Sequence, residues 1–256
     1  MQKVFIKNRK NQNLAVIIEE HSSPKGLAFV MHGLGSFKEQ AQIETVAKAF
    51  RDADCTVVRF DTTNTLGESD GDFALATTTN YYEDLEDVLK WSTEQDWYQE
   101  PFILAGHSLG AICSGIFTQK FPKKVKALAL LSAVVSGKLS AEASASEVKE
   151  WEAKGWQLRE SRSKPGTPMI KLPWSHMVDR MRYDLLPQAK KLTMPVILIV
   201  GDEDETTPVK HHKILYKALP GKKKLEVIIG GSHGLRGPAL PELYEICLQW
   251  IANLPP

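Results

Sequence analysis

The stretch Phe102-Ile103-Leu104-Ala105-Gly106-His107-Ser108-Leu109-Gly110-Ala111 decides how the rest of the chain is read. Its first four residues form a continuous apolar run, as expected of a strand covered on both faces. After Gly106-His107-Ser108-Leu109-Gly110 the chain continues as Ala111-Ile112-Cys113-Ser114-Gly115-Ile116, a small-residue segment that suits a helix. A serine on a tight turn between strand and helix exposes its hydroxyl at a helix N-terminus, where the dipole favours developing negative charge. The glycines two residues to either side remove side chains that would collide at such a turn. Gly-x-Ser-x-Gly alone is a weak pattern, and its setting between a strand and a helix is what makes it informative.

Similar apolar runs recur on both sides of this stretch. Val4-Phe5-Ile6 and Leu14 to Ile18 read as an opening hairpin around the polar turn at Asn11 and Asn13. Leu27 to Met31, Thr56 to Phe60, Ala127 to Leu131, Val196 to Val200 and Leu225 to Ile229 supply further strands. Between them Ile43, Val46, Ala47 and Phe50 repeat at helical spacing, as do Tyr81, Leu85, Val88 and Trp91. Leu109 to Phe121, Val209 to Leu219 and Leu240 to Leu254 are additional helix candidates. Strands alternating with helices predict an α/β protein with a mostly parallel eight-stranded sheet, antiparallel at its start, and helices on both faces.

One interval breaks the rhythm. About sixty residues separate the strand ending near Ala133 from the one beginning at Pro195, far more than a crossover needs. This interval carries Trp151, Trp156 and Trp174, three of the six tryptophans, together with Met169, Met177 and Met181. The division expected is a core of residues 1–136 and 193–256 with an inserted, mainly helical cap, or lid, at 137–192. Trp151, Trp156, Trp174 and Met177 are the candidates for a substrate-binding wall there, with packing of the cap onto the core as the plainer role.

Composition bounds the partners. The chain has 256 residues, 43% hydrophobic and 25% charged, with a net charge of +1. Lys222-Lys223-Lys224 is its longest basic run, so a nucleic-acid ligand is not expected. Cys55, Cys113 and Cys247 are scattered singly, which argues against a disulfide framework and a zinc site. The first thirty residues alternate and carry charge, unlike a signal peptide, and no apolar run is long enough to span a membrane. A cytoplasmic location is the default expectation, and a homodimer is left open.

A serine hydroxyl needs a base to become a nucleophile. Of seven histidines, His233 in Ile229-Gly230-Gly231-Ser232-His233-Gly234 follows the last strand, at the sheet end where active sites gather. His107 reads as the variable position of the serine motif, its side chain pointing away from that of Ser108. His32 reads as structural, and His211 and His212 as surface residues of a helix. His176, in the cap, is too distant to count. The imidazole in turn needs a carboxylate. Gly201-Asp202-Glu203-Asp204-Glu205 follows the strand Val196 to Val200, and Asp204, past the strand end, fits best, with Asp202 as the alternative. Two donors for a tetrahedral oxyanion are expected from the amide of Leu34, in Val30-Met31-His32-Gly33-Leu34-Gly35-Ser36, and that of Leu109. Gly33 to Lys38 has neither the third glycine of a dinucleotide fingerprint nor the Gly-Lys-Ser/Thr of a phosphate loop.

The chain order Ser108, Asp204, His233, with His32-Gly33-Leu34-Gly35, Gly106-His107-Ser108-Leu109-Gly110 and Ser232-His233-Gly234, resembles the α/β-hydrolase superfamily over essentially the whole chain. Arg59-Phe60-Asp61 followed by Leu66-Gly67-Glu68-Ser69-Asp70-Gly71 is similar to a loop of capped carboxylesterases: cinnamoyl or feruloyl esterases, monoacylglycerol lipases and the serine aminopeptidase-like group. Where those proteins carry an Arg-Gly-His-Gly type of turn, this chain has Thr62-Thr63-Asn64-Thr65. The resemblance implies a serine esterase acting on small to medium acyl or aromatic esters through an acyl-enzyme, with Ser108, Asp204 and His233 catalytic and no cofactor or metal. A thioesterase or aminopeptidase using the same three residues, and a ligand-binding homologue without turnover, are the alternatives.

Overall fold

The structure is a computed structural model and describes residues 1–159 and 169–255. Eight strands form the central sheet: β1 (Gln2–Lys7), β2 (Asn13–Glu19), β3 (Gly26–Met31), β4 (Cys55–Phe60), β5 (Phe102–His107), β6 (Val125–Leu131), β9 (Val196–Gly201) and β10 (Lys223–Ile228). Their spatial order is β1-β2-β4-β3-β5-β6-β9-β10. β2 runs antiparallel to both β1 and β4, and every other neighbouring pair is parallel. The mostly parallel eight-stranded sheet expected from the apolar runs is therefore present.

Alternation along the strands divides the core into two layers. Leu27, Phe29 and Met31 of β3, Phe102 and Leu104 of β5, and Leu128 and Leu130 of β6 face one side. There they meet Tyr81, Leu85 and Val88 of α2 (Thr78–Ser92) and Ile112 and Phe117 of α3 (Leu109–Lys120). Ala28 and Val30, Ile103 and Ala105, and Ala127 and Ala129 face the other. The smaller side chains of that face receive α1 (Ala41–Asp52) and α8 (Ala239–Ala252), with Phe50 of α1 and Leu243 of α8 buried among them. A strand covered on both sides has no polar face to show, which explains the unbroken apolar runs. α7 (Val209–Ala218) joins the first layer through Leu215.

The insertion after β6 contains α4 (Gly137–Ala143), α5 (Ala145–Lys154) and α6 (Ser175–Arg180). It also holds an antiparallel pair that the expectation of a mainly helical segment did not include, β7 (Trp156–Arg159) with β8 (Ile170–Pro173). Four-residue strands carry too little alternation to register as a period. The part of the expected cap at 160–168 lies outside the described residues. Phe73, Trp151, Leu172 and Met177 form a third buried cluster, with Leu34 and Trp174 packed against it. α6 is tied to the core where Asp179 accepts the amide of Thr79 at 2.9 Å and its hydroxyl at 2.5 Å. Among the described residues no helix is long and apolar enough to cross a membrane.

Candidate active site

Parallel strands place the loops that follow them at one end of the sheet, and side chains distant in sequence meet there. Strand order reverses around β3 and β5: the chain passes from β3 to β4 on one side, then crosses back to β5 on the other. Ser108 follows β5 with φ of 54° and ψ of −112°, a conformation L-residues avoid unless their surroundings impose it. The imposition comes from packing. A Cβ on Gly106 would lie 2.4 Å from the Gly110 carbonyl oxygen, and one on Gly110 would lie 2.4 Å from that of His32. Only hydrogen at both positions lets the strand, the turn and α3 close up this tightly.

Ser108 Oγ lies 2.9 Å from Nε2 of His233, whose Nδ1 lies 2.9 Å and 3.1 Å from the two carboxylate oxygens of Asp204. A carboxylate only accepts, so His233 carries its hydrogen on Nδ1 and offers the Nε2 lone pair to the Ser108 hydroxyl. Asp204 is buried and also accepts the amide of Thr207 at 2.8 Å and its hydroxyl at 2.8 Å. Burial alone would raise the Asp204 pKa, but the His233 imidazole and the Thr207 donors outweigh it and hold the carboxyl well below its ordinary value. Asp202 is exposed and accepts the Gly230 amide at 2.7 Å, bracing the loop ahead of His233 without touching the imidazole.

The turn after β3 lies directly against Ser108: a Cβ on Gly33 would sit 2.9 Å from the serine Cβ. This brings the next residue, Leu34, to the rim beside the serine, and its side chain packs on the cluster of Trp151 and Met177. Leu109 is the first residue of α3, so its amide has no partner within the helix. His32 is fully buried and accepts the Thr62 amide on Nε2 at 3.1 Å, while its Nδ1 lies 2.8 Å from the Gly33 carbonyl. The threonine-rich turn after β4 is thus anchored, with Thr63 donating its amide and hydroxyl to Asp84 at 2.6 Å and 2.7 Å.

Several placements differ from the sequence reading. His107 is no spectator: its ring is buried and its Nε2 lies 2.8 Å from the main-chain oxygen of His233. His211 and His212, read as surface residues, are both buried, on a helix that packs against β9 and β10. His212 accepts the Ala133 amide at 2.8 Å. His176 is fully buried in the insertion, its Nδ1 2.8 Å from the Ala76 carbonyl. Trp151 is buried and donates to the Leu172 carbonyl at 3.0 Å, with Trp174 edge-on at 5.6 Å. Trp156 stands 38% exposed, with the Lys171 ammonium 5.0 Å from its ring.

Sequence reasoning also missed the support beneath the β3 loop. Lys38 is completely buried, and its ammonium reaches Asp61 at 2.8 Å, Glu68 at 2.6 Å and Glu39 at 3.1 Å. Asp61 further accepts the amides of Lys38 and Glu68 at 2.7 Å and 2.8 Å. The carboxylates of Glu39, Asp61 and Glu68 lie close enough together to hold a cation, and the lysine ammonium is the cation they surround. The Arg59-Phe60-Asp61 signal was visible in the sequence, but its partner on the preceding loop was not.

A doubly wound sheet with an elbow serine after β5, and an acid and a histidine after the last two strands, is the architecture of the α/β-hydrolases. The chain belongs to one family among them, serine aminopeptidase, S33, whose profile matches residues 22–168, more than half of its length. No curated protein matches it. Among solved structures it is similar to Est1E from Butyrivibrio proteoclasticus with ferulic acid bound, at a TM-score of 0.81 and 19% identity over 98% of each chain. It is also similar to α/β-hydrolase domain-containing protein 10 from mouse, at 0.81 and 23% identity over the whole of both chains. An α/β serine hydrolase homologue from Coxiella burnetii follows at 0.67 and 20% identity, covering 98% of this chain and 97% of that one. At such identities the likeness is one of fold, and the family membership makes the chain a hydrolase.

Proposed function

We propose that the protein is a serine hydrolase that cleaves carboxylic esters through an acyl-enzyme. The observation that carries this reading is the row Asp204–His233–Ser108, with 2.9 Å at both junctions. His233 Nε2 takes the Ser108 proton as Oγ bonds to the acyl carbon, and the resulting imidazolium is held by Asp204. The tetrahedral oxyanion accepts the Leu34 and Leu109 amides. When the carbon–oxygen bond to the alcohol breaks, His233 returns its proton to the leaving oxygen. Water then attacks the acyl carbon, gives its proton to His233 and releases the acid, and Ser108 recovers its hydrogen. No step calls for a metal or cofactor.

The described part of residues 137–192 serves as a cap over this site, with Trp151, Trp174 and Met177 on the side of Leu34 and Phe73. Trp156 belongs to the outer face. An ester fits better than an aminoacyl substrate, because recognising an ammonium requires an acid near the serine. Glu142, Glu147, Glu150 and Glu152, the acids of α4 and α5, all face solvent. The direct test compares p-nitrophenyl esters of rising chain length, a hydroxycinnamate ester, a thioester and an aminoacyl amide. The reading predicts ester turnover that Ser108→Ala abolishes. Turnover confined to the amide would replace it.

A further inference from the structure

The insertion contains a buried cation that no acid among the described residues neutralises. Arg180, at the end of α6, is 6% exposed. Its guanidinium donates to Nε2 of His176 at 2.6 Å and to the Ser140 hydroxyl at 3.4 Å, and its Nε–H has no partner among the described residues. His176 cannot supply negative charge: Nδ1 donates to the Ala76 carbonyl, leaving only a neutral lone pair toward the arginine. The nearby acids among the described residues are engaged elsewhere. Asp179 binds Thr79 and lies 3.5 Å from Arg182, and Asp184 accepts the Leu186 amide at 2.8 Å. A second guanidinium, that of Arg159, stands 5.7 Å from the Trp151 ring, and Trp151 stacks on His176. Burial, then repulsion from Arg159, pull the Arg180 pKa down to about 9.

A buried charge with no opposite charge is costly, and an apolar side chain of similar size would stabilise the fold more. Such a group is accounted for when a ligand completes it. Arg180 also lies toward the reaction centre. Its partner His176 stacks on Trp151, Leu34 packs on the Trp151 cluster, and Gly33, the residue before Leu34, abuts Ser108. Ser140, its other partner, belongs to the segment that leaves the core just after Val134, whose amide bonds to the Ser108 carbonyl at 3.2 Å.

We propose that Arg180, framed by Ser140 and His176, is an anion subsite that receives a carboxylate carried by the ester substrate. The proposal rests on the ester-hydrolase reading and adds a substrate class to it: esters with a free carboxylate on the acyl or the alcohol side. One substrate series consists of monoethyl esters of succinic, glutaric, adipic and suberic acids, against ethyl alkanoates of matching length. A second places the carboxylate on the alcohol, as butanoyl esters of glycolic and 4-hydroxybutanoic acids against butanoyl esters of simple alcohols. The quantity read is the ratio of kcat/KM for charged over neutral ester, in which losses common to both cancel. In at least one series Arg180→Met lowers this ratio about tenfold or more, and Arg180→Lys restores part of it. A ratio unmoved by Arg180→Met in both series overturns the proposal.

Should Arg180→Met fail to fold, wild-type protein gives the answer. Dicarboxylates then inhibit hydrolysis of a neutral ester competitively where their diamides do not, and equal inhibition by the two overturns the subsite. Absence of turnover on every ester would refute the function but not the subsite. Calorimetric titration of wild-type protein with the same dicarboxylates then decides: saturable binding supports the subsite and its absence refutes it.

Discussion

His107 and His233, 126 positions apart, are joined by a hydrogen bond of 2.8 Å from the ring of the first to the main-chain oxygen of the second. A carbonyl only accepts, so Nε2 of His107 carries the hydrogen and Nδ1 is left bare; it is buried with no partner. Burial, with the neighbouring His233, pushes the His107 pKa down to about 3, so the ring is a neutral donor under all working conditions. The variable position of the serine motif thus pins the loop that presents the base. His107→Leu is expected to lower kcat about tenfold to a hundredfold by letting the base drift, with KM much less affected, and His107→Gln to recover part of it through its amide donor. Steady-state kinetics on one ester decide this, and an unchanged kcat in His107→Leu would deny the pinning role.

The two acids after β9 separate cleanly. Asp204→Asn is expected to reduce kcat by about 10³- to 10⁴-fold while the protein stays folded, because an amide no longer holds the imidazole in the needed tautomer. Asp202→Asn removes only a brace on the Gly230 amide and is expected to cost less than about tenfold. Comparable losses in both variants would mean that the loop's order, not the carboxylate on His233, carries the effect.

Lys38 makes a stability prediction independent of chemistry. Its ammonium and the Asp61 carboxylate are both fully buried, so Lys38→Met leaves an uncompensated charge beneath the β3 loop. A loss of about 3–5 kcal/mol is expected, readable as a lower urea midpoint. Lys38→Met combined with Asp61→Asn is expected to be less harmful than the sum of the two changes.

Acid stability follows from histidines buried neutral. Burial pushes His212 down to about 4 and His107 to about 3, and it places His176 well below its ordinary value. Unfolded, each imidazole takes up a proton near the ordinary value of 6.5; folded, it resists until the depressed value is reached. Stability present above pH 6.5 is therefore lost as pH falls toward 4, by on the order of 3 kcal/mol for His212 alone. Asp204, held below its ordinary 3.8, releases its contribution only at still lower pH. Urea midpoints at pH 7.5, 6 and 5 are expected to fall in that order, and His212→Gln to flatten the fall. A midpoint independent of pH over that range would contradict the placement of these rings.

What the sequence made legible were features whose cause is local. Continuous apolar runs marked the strands because both faces of each are covered, and Gly106 and Gly110 marked the turn because Cβ atoms there would strike carbonyl oxygens. His233 and Asp204 were singled out by their position after strands, and parallel topology brings the two side chains to 2.9 Å. The parts that stayed hidden depend on partners remote in sequence. Nothing near His107 reveals that it bonds to residue 233, and nothing near Lys38 reveals Asp61. The pair His211 and His212 looked solvated because a helix of mixed composition does not disclose which of its residues its neighbours cover. Nothing near Arg180 in the sequence reveals that it is buried, with no acid among the described residues to pair it.

The central claim is that Ser108 is a nucleophile activated by His233. Intact and peptide mass measurement after incubation with a fluorophosphonate tests it most directly. The account predicts one adduct, on the peptide bearing Ser108, absent in Ser108→Ala and formed far more slowly in His233→Ala. Folded wild-type protein that takes up no label, or takes it up on another residue, would contradict it.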